Sequence, residues 1–168
     1  HVMQSNSLKL DDLAQVVTHV HQGAIDVLGP VVRPVTVHQS KFSMGTVLAL
    51  VAQHGHAGLT EFDRDFLSQQ TQALRDKVSM VLDAEVDSAY PKRWIGKVTV
   101  TTTDGRVLHG RVDEPKGDPG NTLSRQEITD KALRLAAFSG GATPEAMRQS
   151  VEALWQVASW PTVGPLLP

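Results

Sequence analysis

The sequence predicts an α+β fold with two layers, in which helices pack on one face of a small antiparallel sheet. Two patterns indicate this class. Short β-branched runs at 13–20, 78–82 and 94–112 are separated by segments that have the spacing of helices. The last run alternates on both sides of Asp104-Gly105, which is typical of an antiparallel hairpin with one packed face and one wet face.

Composition restricts the classes of function. The chain has 168 residues, enough for one domain with a substantial core. Its 16 Lys and Arg and 18 Asp and Glu residues form no run of like charge, so nucleic acid and membrane are not expected as partners. Cysteine is absent, which excludes disulfides and thiolate chemistry. The sequence has no bilayer-spanning stretch and no signal-peptide pattern, so a cytoplasmic location is expected.

The chain is expected to divide into three parts. Residues 1–7 are assigned to a tag or disordered leader, because His1-Val2 precede a methionine. Residues 8–142 form the α+β domain, and residues 143–168 form a closing helix and a tail.

The first predicted strand spans 13–20, and residues 24–28 either extend it or form a second short piece. Gly29-Pro30 and Arg33-Pro34 then break regular structure. Segment 38–53 predicts a helix that is buried on nearly every side, because apolar side chains point almost all the way round its helical wheel. A narrow polar stripe remains on one face of this helix, formed by Gln39, Ser43, Thr46 and Gln53.

Lys41 lies at the entrance of this helix, near Ser40 or Thr36 as its cap. A cation in the first turn is at the unfavourable end of the helix dipole, and unfavourable placements can mark functional sites. The free N–H groups of that turn attract anions and disfavour a protonated lysine. Lys41 beside Ser43 is therefore equipped to hold a carboxylate and to move a proton on the adjacent carbon. The alternative is an ordinary solvated lysine.

The middle of the chain adds a helix capped by Thr60, a strand at 78–82 and a polar turn at 83–91. The hairpin at 94–112 follows. The Pro/Gly loop at 114–124 is too long to be a mere connector.

Two helices are predicted after the Pro/Gly loop. Ser124 and Glu127 have the spacing of a capping box for the first, and Gly140-Gly141 ends it. Thr143-Pro144 begins the second, as a cap followed by proline at the first helical position.

Two pairs of histidines could bind a metal, because His19 with His21 and His54 with His56 are each two residues apart. Neither pair has a carboxylate at motif spacing. Structural histidines are the favoured interpretation, and no metal is expected.

Asp83, Glu85 and Asp87 have the residue type needed for acid–base work, but their polar surroundings favour a solvated face. In the Pro/Gly loop, Gly117 could shape a backbone nest for an anion, with Lys116 adding charge. A rigid turn is the equally weighted alternative for this loop.

Several motifs in order resemble the MmgE/PrpD family, over residues 13–160 in all. They are Pro34 followed by Lys41-Phe42-Ser43-Met44 and an apolar helix, the hairpin at 98–112, and the loop and helix from Pro115 to Lys131. That family includes 2-methylcitrate dehydratase, cis-aconitate decarboxylase and iminodisuccinate epimerase.

The resemblance implies an α+β lid domain that works with an all-helical amino-terminal domain, which has no counterpart in this sequence. It implies Lys41 as the proton-transfer or carboxylate-binding residue, with Ser43 beside it. Thr46 stands where some relatives have tyrosine, which disfavours the decarboxylase branch. Lys116 and Gly117 are implied as structural or cleft-lining residues. The implied chemistry is removal of a proton next to a carboxylate, with no metal or organic cofactor.

Two functions from different classes follow. The first is the lid of a lyase or isomerase that acts on small polycarboxylic acids and needs a helical domain or subunit. The second is a stand-alone binding or dimerisation module without chemistry, and a weaker third is a regulatory domain that binds a carboxylate. A homodimer is expected. A lid should expose an apolar patch; the candidates are Trp155, Trp160, Leu166 and Leu167.

Overall fold

A computed structural model of the chain describes residues 1–162, which fall in two compact units, His1–Asn121 and the described residues from Thr122 onward. The strands are β1 (Leu13–Val20), β2 (Val78–Leu82), β3 (Gly96–Thr102) and β4 (Val107–Val112). The α-helices are α1 (Val2–Ser5), α2 (Gln22–Leu28), α3 (Val37–Ser40), α4 (Met44–His54), α5 (Leu59–Asp65), α6 (Gln69–Arg75), α7 (Ala84–Ala89), α8 (Arg125–Ser139) and α9 (Pro144–Trp155).

The first unit is built on one four-stranded sheet with the order β2-β1-β3-β4. β3 pairs antiparallel with both β1 and β4, which confirms the predicted hairpin and the α+β class. β2 pairs parallel with β1, a feature the sequence did not predict. Parallel neighbours need a long crossover connection, and here helices α2 to α6 supply it.

The strand register divides the sheet into two faces. Val16 is opposite Val100, and Val100 is opposite Leu108, so these apolar side chains share one face. That face packs against Ala49 of α4 in the main apolar cluster, and Ala49 is buried. The alternate residues of the same strands therefore lie on the other face, and apart from Val17 and Val107 they are polar or charged.

The predicted helix at 38–53 is two helices, and this is a correction. Thr36 caps α3, which ends after one turn because the chain then forms tight turns from Ser40 to Ser43. Ser43 has an extended backbone and begins α4, which ends at Gly55 in the left-handed conformation. The prediction of a helix buried on nearly every side is correct for one side only, since Thr46, Ala49 and Leu50 are buried whereas Val51 is 39 % exposed.

Three local predictions were wrong. Residues 24–28 belong to helix α2 and not to a strand, because the His21 ring accepts a hydrogen bond from the Ala24 N–H and caps a helix there. Helix α5 begins after Gly58 rather than at Thr60, since the Glu61 carboxylate accepts the Gly58 N–H. The polar stretch 83–91 contains helix α7, which Asp83 caps.

The amino end is ordered in the structure. Val2–Ser5 form one helical turn, and Val2 and Met3 pack against the main apolar cluster. These contacts give the first residues a packing role in the first unit.

The second unit contains helices α8 and α9 as the sequence predicts. Ser124 and Glu127 form the capping box, and Gly140 ends α8 at a φ of 65°. Thr143 caps α9, and Pro144 follows at its first position. Arg125 lies over the Trp155 ring at 4.9 Å. Trp155 and Trp160, two candidates for the apolar patch, are half-buried. Two other candidates for an apolar patch, Leu166 and Leu167, lie outside the described residues.

Candidate functional site

The turn between α3 and α4 carries the principal predicted site residue. Lys41 directly follows the last residue of α3 and precedes the Ser43 cap of α4 by two positions. It is therefore outside the first turn of α4, which corrects the predicted placement. The Lys41 side chain is exposed, and within residues 1–162 it makes no hydrogen bond or ion pair. Its amine is available to a ligand that approaches from solvent.

Ser43 and Thr46 are buried at the start of α4. The Ser43 hydroxyl oxygen accepts the Thr46 hydroxyl at 3.0 Å and the Thr46 N–H at 3.4 Å. The same arrangement recurs in α6, where the Ser68 hydroxyl donates to Thr71 and accepts its N–H. The two hydroxyls thus satisfy each other as a helix cap, and their role in substrate binding stays a prediction.

Replacing Ser43 by alanine is expected to lower the free energy of unfolding by about 1–3 kcal/mol. The loss arises because the buried Thr46 hydroxyl and N–H lose their acceptor. Adding Thr46→Val should recover part of it, since no buried hydroxyl is then left unpaired. Urea denaturation of the two single variants and the double variant measures this coupling, and strictly additive losses would contradict it.

Gly45 brings the first turn of α4 directly against Arg75. A Cβ at position 45 would lie 2.8 Å from the Arg75 Cγ and 3.0 Å from its carbonyl oxygen. Arg75 is buried, and its guanidinium donates to the Asp76 carboxylate, which also lies 3.5 Å from Arg33. Because Gly45 has no side chain, the first turn of α4 can lie directly against Arg75, which is buried and paired with Asp76.

The Pro/Gly loop at 114–124, for which an anion nest and a rigid turn were equally weighted, is held together by hydrogen bonds between its own residues. Gly117 has a φ of 107°, which favours glycine, and its N–H donates to the Asn121 carbonyl at 2.8 Å. The Asn121 side chain in turn donates to the Glu114 carbonyl. Since the Gly117 N–H is already used, the rigid-turn interpretation fits this geometry better than a backbone nest. The Lys116 side chain is exposed.

The polar face of the sheet contains a network that the sequence analysis missed. The Lys97 amine lies 3.0 Å from the Asp83 carboxylate and 2.6 Å from that of Glu85. The Arg111 guanidinium binds the two Glu85 oxygens at 2.7 and 3.1 Å. The sequence predicts a solvated face for Asp83 and Glu85, but it does not predict their ion pairs. Nothing local in the sequence shows that strands β3 and β4 bring Lys97 and Arg111 to them.

Next to this network, a hydroxyl bridges two histidines. The Thr99 oxygen lies 2.8 Å from His19 Nε2 and 3.2 Å from His109 Nδ1. The other ring nitrogen of His19 is 3.9 Å from Asp83. The register of three strands assembles this group, so strand spacing alone could not predict it.

With this geometry established, the family can be stated. Residues 1–157 match the family model of the MmgE/PrpD C-terminal domain. The chain belongs to this family. No curated protein matches the chain. The match confirms the resemblance drawn from the lysine-phenylalanine-serine segment, the hairpin and the Pro/Gly loop.

A cavity of about 990 Å³ in this MmgE/PrpD C-terminal domain lies apart from the Lys41 turn. Most of its lining is apolar and comes in part from α4 and from the packed face of the sheet, including Leu48, Ala52 and Val98. The five predicted site residues do not line it. The cavity and the lysine-phenylalanine-serine segment therefore indicate two different candidate sites. The lining residues of the cavity also include His19, Lys97 and Arg111, which can carry positive charge and could orient an acid.

The remaining histidines of the domain have protein partners. His54 lies 3.2 Å from Asp65, and His56 lies 3.4 Å from Glu61, which fits the structural interpretation of this pair. Within residues 1–162 no three His, Cys, Asp or Glu side chains are grouped to hold a metal ion. In the same range, no helix has both the length and the apolar character required to cross a bilayer.

The ion pairs of the polar face predict a dependence of stability on acid. The Arg111 guanidinium, with Lys97, lowers the pKa of Glu85 from 4.5 to about 2. A carboxylate with a lowered pKa in the folded state stabilises the fold above its unfolded pKa, and this contribution is lost as the pH falls toward the folded pKa. Wild type should thus melt at a higher temperature than Glu85→Gln at neutral pH, and the difference should close between pH 4.5 and about 2.

Thermal unfolding of both proteins across this pH range measures the effect. Glu145→Gln is the control, because the Glu145 carboxylate lies on α9 at 3.9 Å from Arg148, a looser pair. A difference between wild type and Glu85→Gln that stays constant with pH would contradict the prediction.

Proposed function

We propose that the chain is the lid of an MmgE/PrpD-like lyase or isomerase that acts on small polycarboxylic acids. In this proposal Lys41 holds a substrate carboxylate or removes the proton next to it, as in a 2-methylcitrate dehydratase-like reaction. The observation that carries the proposal is the exposed Lys41 amine, unpaired within residues 1–162, two positions before the Ser43 cap of α4 and inside the segment that matches the family. No metal or organic cofactor takes part in the proposed reaction.

The surface around Lys41 supports a partner that covers it. Phe42 is 40 % exposed and Val35 is 72 % exposed, so apolar side chains are exposed next to Lys41 in the chain and just before α3. Burial of such side chains by a second domain would also remove water from Lys41. The partner we propose is the helical domain or a subunit equivalent to it, in a cytoplasmic, homodimeric enzyme.

A binding or dimerisation module without chemistry is the second candidate. One observation favours it: the Ser43 and Thr46 hydroxyls bond to each other, so they are not directed to a substrate in this state. A module of this kind would bind a carboxylate at Lys41 without exchanging its neighbouring proton.

The test combines the chain with the helical domain of an MmgE/PrpD protein. The mixture is incubated in D₂O with a panel of dicarboxylates and tricarboxylates, and NMR records deuterium at the carbon next to the carboxylate and the loss of water. Exchange that requires both components supports the lid function. Carboxylate binding at the Lys41 amine without exchange in any mixture would overturn it in favour of the module.

A further inference from the structure

Three groups that can carry positive charge lie in one row across the polar face of the sheet. The register places His19 of β1 opposite Lys97 of β3, and Lys97 opposite Arg111 of β4. Like charges directly opposite each other on neighbouring strands destabilise a sheet. A row of this kind is therefore expected only where acidic groups offset it.

The offset comes from the segment that begins α7. Glu85 receives a bidentate contact from Arg111 and a third contact from Lys97. Asp83 receives Lys97 on both of its oxygens, each at 3.0 Å. A guanidinium fork with a neighbouring ammonium is the arrangement with which proteins bind the carboxylates of ligands. The chain thus presents two of its own carboxylates to one cationic row.

We propose that the row of His19, Lys97 and Arg111 is a binding site for a small dicarboxylate or tricarboxylate, which Asp83 and Glu85 occupy in the free protein. The site does not depend on the proposed role of Lys41. It lies on the polar face of the sheet, whereas α4 packs on the opposite face. The ligand supplies the carboxylates that the protein otherwise supplies itself.

Glu85 is the group that a ligand displaces. Its side chain is 54 % exposed, and its carboxylate forms ion pairs with Lys97 and Arg111. Asp83 is 19 % exposed, and it also accepts the N–H groups of Glu85 and Val86 as the cap of α7. Loss of the Asp83 contacts would uncap the helix, whereas rotation of Glu85 costs only its two ion pairs.

The wider surroundings favour an anion with more than one carboxylate. With Glu85 displaced, Lys97 and Arg111 take the first carboxylate of the ligand. Thr99 and His109 lie beside His19 on the same face, so further donors are within the span of a short acid. Arg93 is also near, through its contact with Asp113, which Arg111 shares.

The test is a citrate titration, with the amide NMR signals of residues 97 and 111 as a local readout. Glu85→Gln removes the internal competitor, and it should tighten citrate binding about tenfold. Lys97→Met and Arg111→Met should each weaken it at least about tenfold, because each removes a charged contact to a carboxylate. Thermal unfolding confirms that each variant is folded before it is titrated.

Arg106→Met is the matched control. Arg106 is about as exposed as Arg111 and has its own carboxylate partner in Asp104, but it lies at the β3–β4 turn outside the row. The citrate affinity measured from the amide signals of residues 97 and 111 should be unchanged in this variant and in Lys41→Ala, because a carboxylate held at Lys41 would not be reported by these two signals. An unchanged affinity in Glu85→Gln, or an equal loss in Arg106→Met and Arg111→Met, would overturn the site. Retained binding in Lys41→Ala separates this result from the proposed function.

Discussion

In the proposed complex with a helical domain, Lys41→Ala is expected to lower the rate of proton exchange next to the substrate carboxylate about 10²- to 10⁴-fold. This is the range by which a positioned acid or base accelerates such a step. The Lys41 amine is exposed, and no protein group within residues 1–162 pairs with it, so its loss should leave the fold intact. Deuterium incorporation under saturating substrate measures the rate, and thermal unfolding verifies the fold.

Two further variants identify what Lys41 does. Lys41→Arg keeps the charge but cannot accept a proton at neutral pH. If Lys41 is the base, this variant should retain KM and lose kcat, whereas a purely carboxylate-binding residue would retain much of both. Lys92→Ala, at another exposed lysine, should have wild-type rates. Full activity in Lys41→Ala would remove the catalytic role and leave only the family relationship.

The second large effect is expected at the buried helix. Leu50 has no exposed surface, so Leu50→Ala removes buried methyl groups and leaves a cavity in α4 packing. The expected loss in the free energy of unfolding is about 3 kcal/mol. Urea denaturation followed by far-UV circular dichroism measures it. Val51→Ala is the control, because this neighbouring side chain is 39 % exposed and its truncation should cost less than about 1 kcal/mol. Equal losses in the two variants would contradict the burial of this helix face.

Much of the fold was accessible from local patterns. The hairpin followed from alternation around Asp104-Gly105, and α8 followed from the spacing of Ser124 and Glu127. Each of these signals is complete within a few residues, because a turn or a cap forms its hydrogen bonds with its immediate neighbours. The end of α4 at Gly55 was accessible for the same reason.

The candidate site was accessible only in part. The family motif located Lys41, but the helix periodicity of 38–53 concealed the extended Ser43 that divides the segment. An apolar pattern reports burial and does not show where a polar residue interrupts the helix to cap it. The pattern also gave no indication that Gly45 is the point of closest approach to Arg75, which is 30 positions later in the chain.

The sequence alone determined the family, the α+β class and the caps of α8 and α9. Only the tertiary structure decided the parallel pairing of β1 with β2 and the row of His19, Lys97 and Arg111. It also decided that Asp83 pairs with Lys97 and that Glu85 pairs with Arg111. The physical reason is distance along the chain. Local hydrogen bonds are set by neighbouring residues, whereas a charge on one strand acquires its partner from the register of strands far apart in sequence.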